Sequence, residues 1–551
     1  MEPNLILTAV AVAVGAMLAP RVQHRFALSR AKHPSLAGHS RLAKRVTRLI
    51  PGYAYDEQVF FASDGAPAEV QQQRRAGLDT LAQWLRTQCP KGIEFTQDAR
   101  GALPDLQFTG RYRVPFQYSD YLRSRITMPS AVASSSGVQV CDLDGNALYD
   151  LAGSYGVNVF GYDFYKACIE EAVQQAGALG PVLGNYHPCV LDNVRRLQAI
   201  SGHDQITFHM SGTEAVMQAV RLARYHTRRS HIVRFSGAYH GWWDDVQPGP
   251  GNPMPPRDVY TLRECDERSL KVLRTRSDIA CVLINPIQAM HPNTNAPADG
   301  SLIDSSRQAR FDRASYAQWL QQLRAVCTQR GIALILDEVF LGFRLAKGGA
   351  QEYFGVRADL VTYGKTLGGG LPIGVVAGSS AWMQRYRPER PADVCLARGT
   401  FNAHPYVMAA MNAFLRRIDD ASVDATYRDL DTTWTRRKDE MNAALQAQGL
   451  PLRVEGLPSV WTVLFTEPAR YNWMLQFYLR RHGLLLSWVG SGRMIFSLNY
   501  TDEQFAEVTR RMVAAAADMK RDGWWWHAPA TTNKQIRRSV LREMLNRRLG
   551  R

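Results

Sequence analysis

The sequence predicts an α/β protein in which a mixed or parallel sheet is covered by helices. Three observations carry this. From about Thr127, short apolar runs alternate with segments of helical periodicity. The strand-like run Gln205-Ile-Thr-Phe leads into a helix whose buried stripe is marked by Val216, Ala219, Val220 and Ala223. The run Ile332-Ala-Leu-Ile-Leu is apolar throughout and ends in Asp337-Glu338-Val339.

A chain of 551 residues exceeds what one hydrophobic core usually supports, so more than one domain is expected. The changes of texture divide it into an apolar segment at 1–20, a basic linker and added helical region at 21–125, and the start of a small domain at 126–180. A large domain follows at 181–400, the rest of the small domain at 401–520, and a Trp- and Arg-rich tail at 521–551. Hydrophobic residues make up 46% and charged residues 21%, which excludes a disordered chain. The eight cysteines are scattered without CxxC pairs, as reduced cytoplasmic thiols would be, and no metal site is expected.

Of the net charge of +16, all but two units come from the ends. Arg21 to Ile50 holds eight basic residues and no acid; Lys534 to Arg551 holds seven against Glu543. Basic ends suit nucleic acid or an anionic membrane, and the flanking residues favour the membrane. Leu5 to Ala19 is an apolar run between Pro3 and Pro20, read as a retained anchor with the body on the cytoplasmic face. A processed signal and a peripheral or buried helix are the alternatives. In the tail, Trp524-Trp525-Trp526 precedes Ile536, Val540, Met544 and Leu545 at helical spacing among arginines. That suits either a bilayer interface or a helix packed on its own domain or on a dimer mate.

Pro51 to about Tyr121 reads as helical: Ala76 to Leu85 carries an apolar stripe, and Cys89-Pro-Lys-Gly breaks it. In the α/β part, Ser211-Gly212-Thr213 stands at a helix start, where free backbone N–H groups and the helix dipole can bind a phosphate dianion. Asp337 closes an apolar strand. Lys365 lies in Val361-Thr-Tyr-Gly-Lys-Thr-Leu-Gly-Gly-Gly, before a glycine-rich turn. A lysine amine can form a Schiff base with the aldehyde of pyridoxal phosphate, and a buried carboxylate can keep the pyridine nitrogen protonated. Together these three features point to an enzyme using that cofactor.

Four blocks carry a family resemblance: Ser211-Gly-Thr-Glu-Ala, Gly237-Ala-Tyr-His-Gly241, Leu336-Asp-Glu-Val-Phe-Leu-Gly-Phe-Arg344, and Thr362-Tyr-Gly-Lys to Gly374. In this order they resemble the signatures of class III pyridoxal phosphate aminotransferases, over about Ser130 to Asp518. The similar branch contains glutamate-1-semialdehyde aminomutase and the aminotransferase domains of polyketide and nonribosomal peptide assembly lines. The resemblance implies the fold-type I architecture, with a mainly parallel seven-stranded sheet, a smaller α/β domain and a homodimer. It matches Lys365 to the Schiff-base lysine, Asp337 to the partner of the pyridine nitrogen and Tyr239 to the aromatic stacked on the ring. Ser211, Gly212 and Thr213 match the phosphate site, Val339 the residue behind the ring, and Gln288 a glutamine near the cofactor phenolic oxygen. Thr400 matches a threonine that reaches the phosphate from the neighbouring subunit.

Two departures bear on substrate. Asn285-Pro286 stands where many members have Glu-Pro, and Gly492 stands where the aminomutase has an active-site glutamate. The expectation is therefore an aminotransferase acting from a small amino donor on a hydrophobic, lipid-like or carrier-tethered carbonyl. The alternatives are an aminomutase and, in another class, a membrane-attached scaffold without catalysis.

Overall fold

In the computed structural model the described residues are 16, 19–33, 38–247, 251–254, 256–286, 305–307, 312–487 and 492–549. Strands β1 (Val132–Ser136), β2 (Gln139–Asp142) and β3 (Ala147–Asp150) form an antiparallel meander. The central sheet contains β4 (Gln205–His209), β5 (His231–Phe235), β6 (Val259–Leu262), β7 (Ile279–Ile284), β8 (Ala333–Asp337), β9 (Leu360–Gly364) and β10 (Gly374–Gly378). Its order is β4-β10-β9-β8-β7-β5-β6. Only β10 runs antiparallel to its neighbours. The mainly parallel seven-stranded sheet is thus as expected.

Every residue of β7, β8, β9 and β10 is buried, because helices cover both faces. Side chains alternate between two cores. Leu283, Ala333 and Ile335 meet Ala215, Ala219 and Val220 of the helix Gly212–Thr227. Val282, Leu334 and Leu336 face the other way, toward Leu320, Leu323 and Cys327 of the helix Arg313–Arg330. Each fully buried Leu or Ile contributes about 1.5–3 kcal/mol. This double cover fixes the strand ends that carry the site.

A hairpin of β11 (Tyr386–Arg387) and β12 (Arg390–Val394) follows, then β13 (Leu452–Leu457) and β14 (Val460–Phe465). The two-residue β15 (Leu484–Leu485) returns to pair in parallel with β3, and β16 (Arg493–Ile495) pairs antiparallel with β14. Early and late parts of the chain therefore share one small sheet.

Between Pro51 and Arg125 the chain forms helices Glu57–Ala62, Ala68–Gln88, Pro90–Arg100, Pro104–Tyr112 and Phe116–Arg125. Cys89 ends one helix and Pro90 starts the next, where its missing N–H costs nothing. Arg74, fully buried, joins this region to the tail: it binds Asp64 at 2.6 Å, Phe61 O at 2.7 Å and Gly523 O at 2.9 Å.

That packing corrects the interfacial reading of the tryptophans. Trp524 and Trp525 are 0% and 5% exposed, in a core with Phe60, Leu81, Tyr118 and Trp473. Their indoles donate internally, Trp524 to Tyr478 Oη at 2.8 Å and Trp525 to Asn472 Oδ1 at 3.1 Å. The added helices cover what a tail alone would expose. At the other end, residues 19–31, which join the apolar segment to the expected basic linker, are helical, and Ala31 O accepts from Arg263 N at 2.9 Å. The apolar run Leu5 to Ala19 lies outside the described residues except for Ala16 and Ala19. Among the described residues no helix is long and apolar enough to cross a membrane.

Candidate active site

The site lies where β4, β8 and β9 end. After β4, Ser211 caps the helix Gly212–Thr227, its Oγ accepting from Glu214 N at 3.3 Å. The first backbone bond of this helix is Ala215 N to Ser211 O, so the Gly212 and Thr213 amides point out of its positive end. Gly212 must be glycine: a β-carbon there would lie 2.6 Å from Val339 Cγ1. A β-carbon on Gly241 would lie 2.5 Å from Thr213 Oγ1, so glycine lets the loop 237–241 lie close over the helix start.

Asp337, 2% exposed at the end of β8, is held by three donors. His240 Nδ1 donates to its Oδ2 at 2.7 Å, while Thr362 Oγ1 and Val339 N donate to its Oδ1 at 3.1 Å each. His240 Nε2 is buried and has no hydrogen-bond partner among the described residues. Tyr239, next to it, is half exposed, and burial followed by the charge of Asp337 pushes its phenol up.

Lys365 begins the 3-10 turn after β9 with φ of +47°, a strained angle for a residue with a β-carbon. Burial lowers its amine below the usual 10.5, with Asp337 opposing and Arg344 reinforcing the shift. A neutral fraction is thereby available for nucleophilic attack. Above it sits a turn from the small sheet. Ser154 and Tyr155 take φ of +45° and +56°, and a β-carbon on Gly156 would strike the Phe340 ring and approach Lys365 Cδ at 3.4 Å.

The structure thus brings together Ser211, Gly212, Thr213, Tyr239, Asp337, Val339 and Lys365. Gln288 lies outside the described residues. Thr400 is exposed on a loop, with no hydrogen bond to a described residue of its own protomer. Sequence reasoning gave His240 no role, and its adjacency to Tyr239 was the only signal. It also missed the Gly153–Gly156 turn, Glu338 and Arg344. Burial drives the Glu338 carboxyl up to about 7 against two amide donors, Ala350 N and Gln351 N. Arg344 is fully buried and donates to Ser459 Oγ at 2.9 Å and Phe496 O at 2.7 Å.

These residues fit pyridoxal phosphate: an outward-facing helix end for the phosphate, a buried oriented carboxylate for the ring nitrogen, and an amine of lowered pKa for the aldehyde. The class is that of pyridoxal phosphate enzymes. The family model for class III aminotransferases matches residues 121–245 and 306–516. The chain belongs to that family. It is 32% identical over 357 residues to a glutamate-1-semialdehyde 2,1-aminomutase of Desulfotalea psychrophila, covering 61% of this chain and 76% of the relative. A second aminomutase, of Flavobacterium johnsoniae, is 35% identical over 311 residues, 53% of this chain and 67% of the relative. Among solved structures, a transaminase with pyridoxal phosphate bound superposes with TM-score 0.63 at 27% identity, covering 78% of this chain and 97% of that one. An omega-transaminase from Sphaerobacter thermophilus gives 0.63 at 25% identity, covering 79% and 99%.

Proposed function

We propose that this enzyme transfers an amino group between separate molecules, from a small amino donor to a carbonyl on a hydrophobic, lipid-like or carrier-tethered acceptor. Gly492 carries the intermolecular reading. Its φ is +77°, and a β-carbon there would lie 2.9 Å from Val463 Cβ. The acidic side chain that the resemblance to the aminomutase places at this position has neither the conformation nor the space. The exposed aromatic rings of Tyr155, Tyr239 and Trp242 support an apolar acceptor.

When bound, pyridoxal phosphate supplies an electron-withdrawing ring that stabilises negative charge at the donor α-carbon. The Gly212 and Thr213 amides would hold the phosphate, and Asp337, oriented by His240 and Thr362, would keep a proton on the ring nitrogen. Tyr239 would lie against the ring. Lys365 Nζ, lowered by burial, takes the α-proton as base and returns it as acid. Assembly as a homodimer belongs to the same reading, with Thr400 reaching the phosphate of the partner subunit and the exposed Leu396 and Phe401 beside it available for burial. So does attachment of the catalytic body to the cytoplasmic face of a membrane.

The second reading, an intramolecular aminomutase, is favoured by the named relatives. A donor screen under single-turnover conditions, following the visible absorbance of the bound cofactor, separates the two. Amino donors should convert the cofactor stoichiometrically without a second substrate, and long-chain aldehydes, ketones or carrier thioesters should reverse the conversion. Faster isomerisation of glutamate-1-semialdehyde than reaction with every donor–acceptor pair would sink the proposal.

A further inference from the structure

The helix Asn533–Arg548 turns two unlike faces outward and inward. Ile536 and Val540 are buried, and Glu543 on the same side pairs with Arg470 at 2.9 Å and with Tyr55 Oη. At 100° per residue, Leu541, Leu545 and Leu549 fall on the opposite side, one above another. They are 57%, 51% and 69% exposed.

The same periodicity puts Lys534 and Arg538 among these leucines, Arg537 and Arg548 along one flank and Arg542 along the other. The one acid of the helix faces inward, its charge engaged by Arg470. Among the described residues no carboxylate lies within ion-pair distance of Lys534, Arg538, Arg542, Arg547 or Arg548. An outward apolar ridge edged by cations on both sides has the pattern of a helix lying in a bilayer interface. We propose that this face docks on an anionic lipid surface, with the leucines entering the acyl boundary and the arginines meeting the headgroups.

Charge decides among occupants. A second copy of the face would bring like charges together, and a nucleic acid would satisfy the cations while leaving the leucine ridge in water. An anionic bilayer matches both the cations and the leucine ridge. The surface differs in part from the one the sequence suggested: Trp524, Trp525, Ile536 and Val540 point inward, while Leu545 stays outside and is joined there by Leu541 and Leu549.

The test is co-sedimentation of full-length holoenzyme with phosphatidylcholine vesicles, with and without phosphatidylserine. Wild type should pellet with the anionic vesicles and be released by high salt. Either Leu541→Ser/Leu545→Ser/Leu549→Ser or Arg538→Glu/Arg542→Glu should lower partitioning by about tenfold or more, while Arg538→Lys/Arg542→Lys retains it. All three variants should keep the visible cofactor absorbance and the donor half-reaction, which shows that the fold is intact. Unchanged partitioning of the first two variants would overturn the proposal. So would a change confined to oligomeric state, equal binding to neutral vesicles, or binding to RNA that anionic vesicles do not displace.

Discussion

At the residue scale, the acid of this site is arranged by a histidine. Three donors, His240 Nδ1, Thr362 Oγ1 and Val339 N, hold the Asp337 carboxylate in one orientation at the end of an apolar strand. His240 is a positioning residue in this scheme. A hydrogen bond to a charged group contributes about 1.5–3 kcal/mol, so His240→Leu should lower kcat/KM by about 10- to 100-fold. It should also shift the pH dependence of the cofactor's visible absorbance, a readout that a packing defect alone would not move. A variant with the parent's pH profile would remove His240 from this role. In the proposed mechanism the Lys365 amine serves for both cofactor attachment and proton transfer, so Lys365→Ala should abolish multiple turnover while leaving the far-ultraviolet circular dichroism unchanged.

At the element scale, the phosphate end of the site depends on how closely a helix start meets the β8 end. Gly212→Ala would place its new carbon 2.6 Å from Val339 Cγ1, so the helix start must move. Cofactor affinity should fall by about tenfold or more, and adding Val339→Ala should recover most of it, as titration with the cofactor can measure. Glu338 pins the helix Gly349–Phe354 through the amides of Ala350 and Gln351. Its carboxyl ordinarily titrates at 4.5 and in the fold near 7, so between these values the folded protein holds a proton that the unfolded chain has released. The contribution of this carboxyl to stability is therefore full below about pH 4.5 and is lost as pH rises through 7, by about 3 kcal/mol in all. Urea midpoints of Glu338→Gln should vary less across this window than those of the parent; equal slopes would refute the assignment.

At the scale of the whole molecule, one guanidinium ties the central sheet to the three-stranded sheet β13-β14-β16. Arg344 follows β8 and reaches Ser459 and Phe496 beside β14 and β16, with Gly156 O and Asn158 O at 3.4 Å. Burial holds its pKa near 10, so the charge is kept at neutral pH by hydrogen bonds to carbonyls and a hydroxyl rather than by an acid. Arg344→Met should leave those acceptors unpaired and lower unfolding stability by about 2–4 kcal/mol. Because the Gly153–Gly156 turn hangs from the same contacts above Lys365, the variant should also raise KM for the donor. An unchanged urea midpoint with unchanged KM would count against the tie.

Local pattern by itself marked the buried strands of a mixed or parallel sheet, the helix start at Ser211, and the acid Asp337 and the lysine Lys365 beside apolar runs. Buried parallel strands must be apolar along their length, and a cofactor acid or lysine must stand where such a run stops, so both facts are written in neighbouring residues. What only the tertiary structure decided involves partners far apart in the chain. His240 meets Asp337 across 97 residues, and Arg344 meets Phe496 across 152. The tail tryptophans are covered by helices hundreds of residues earlier, where Phe60 packs edge-on against Trp524. Amphipathic periodicity records that one helix face is covered and leaves open which face and by what. In Asn533–Arg548, where both faces carry aliphatic residues, the packing of Ile536 and Val540 made the choice and left the leucine ridge outside.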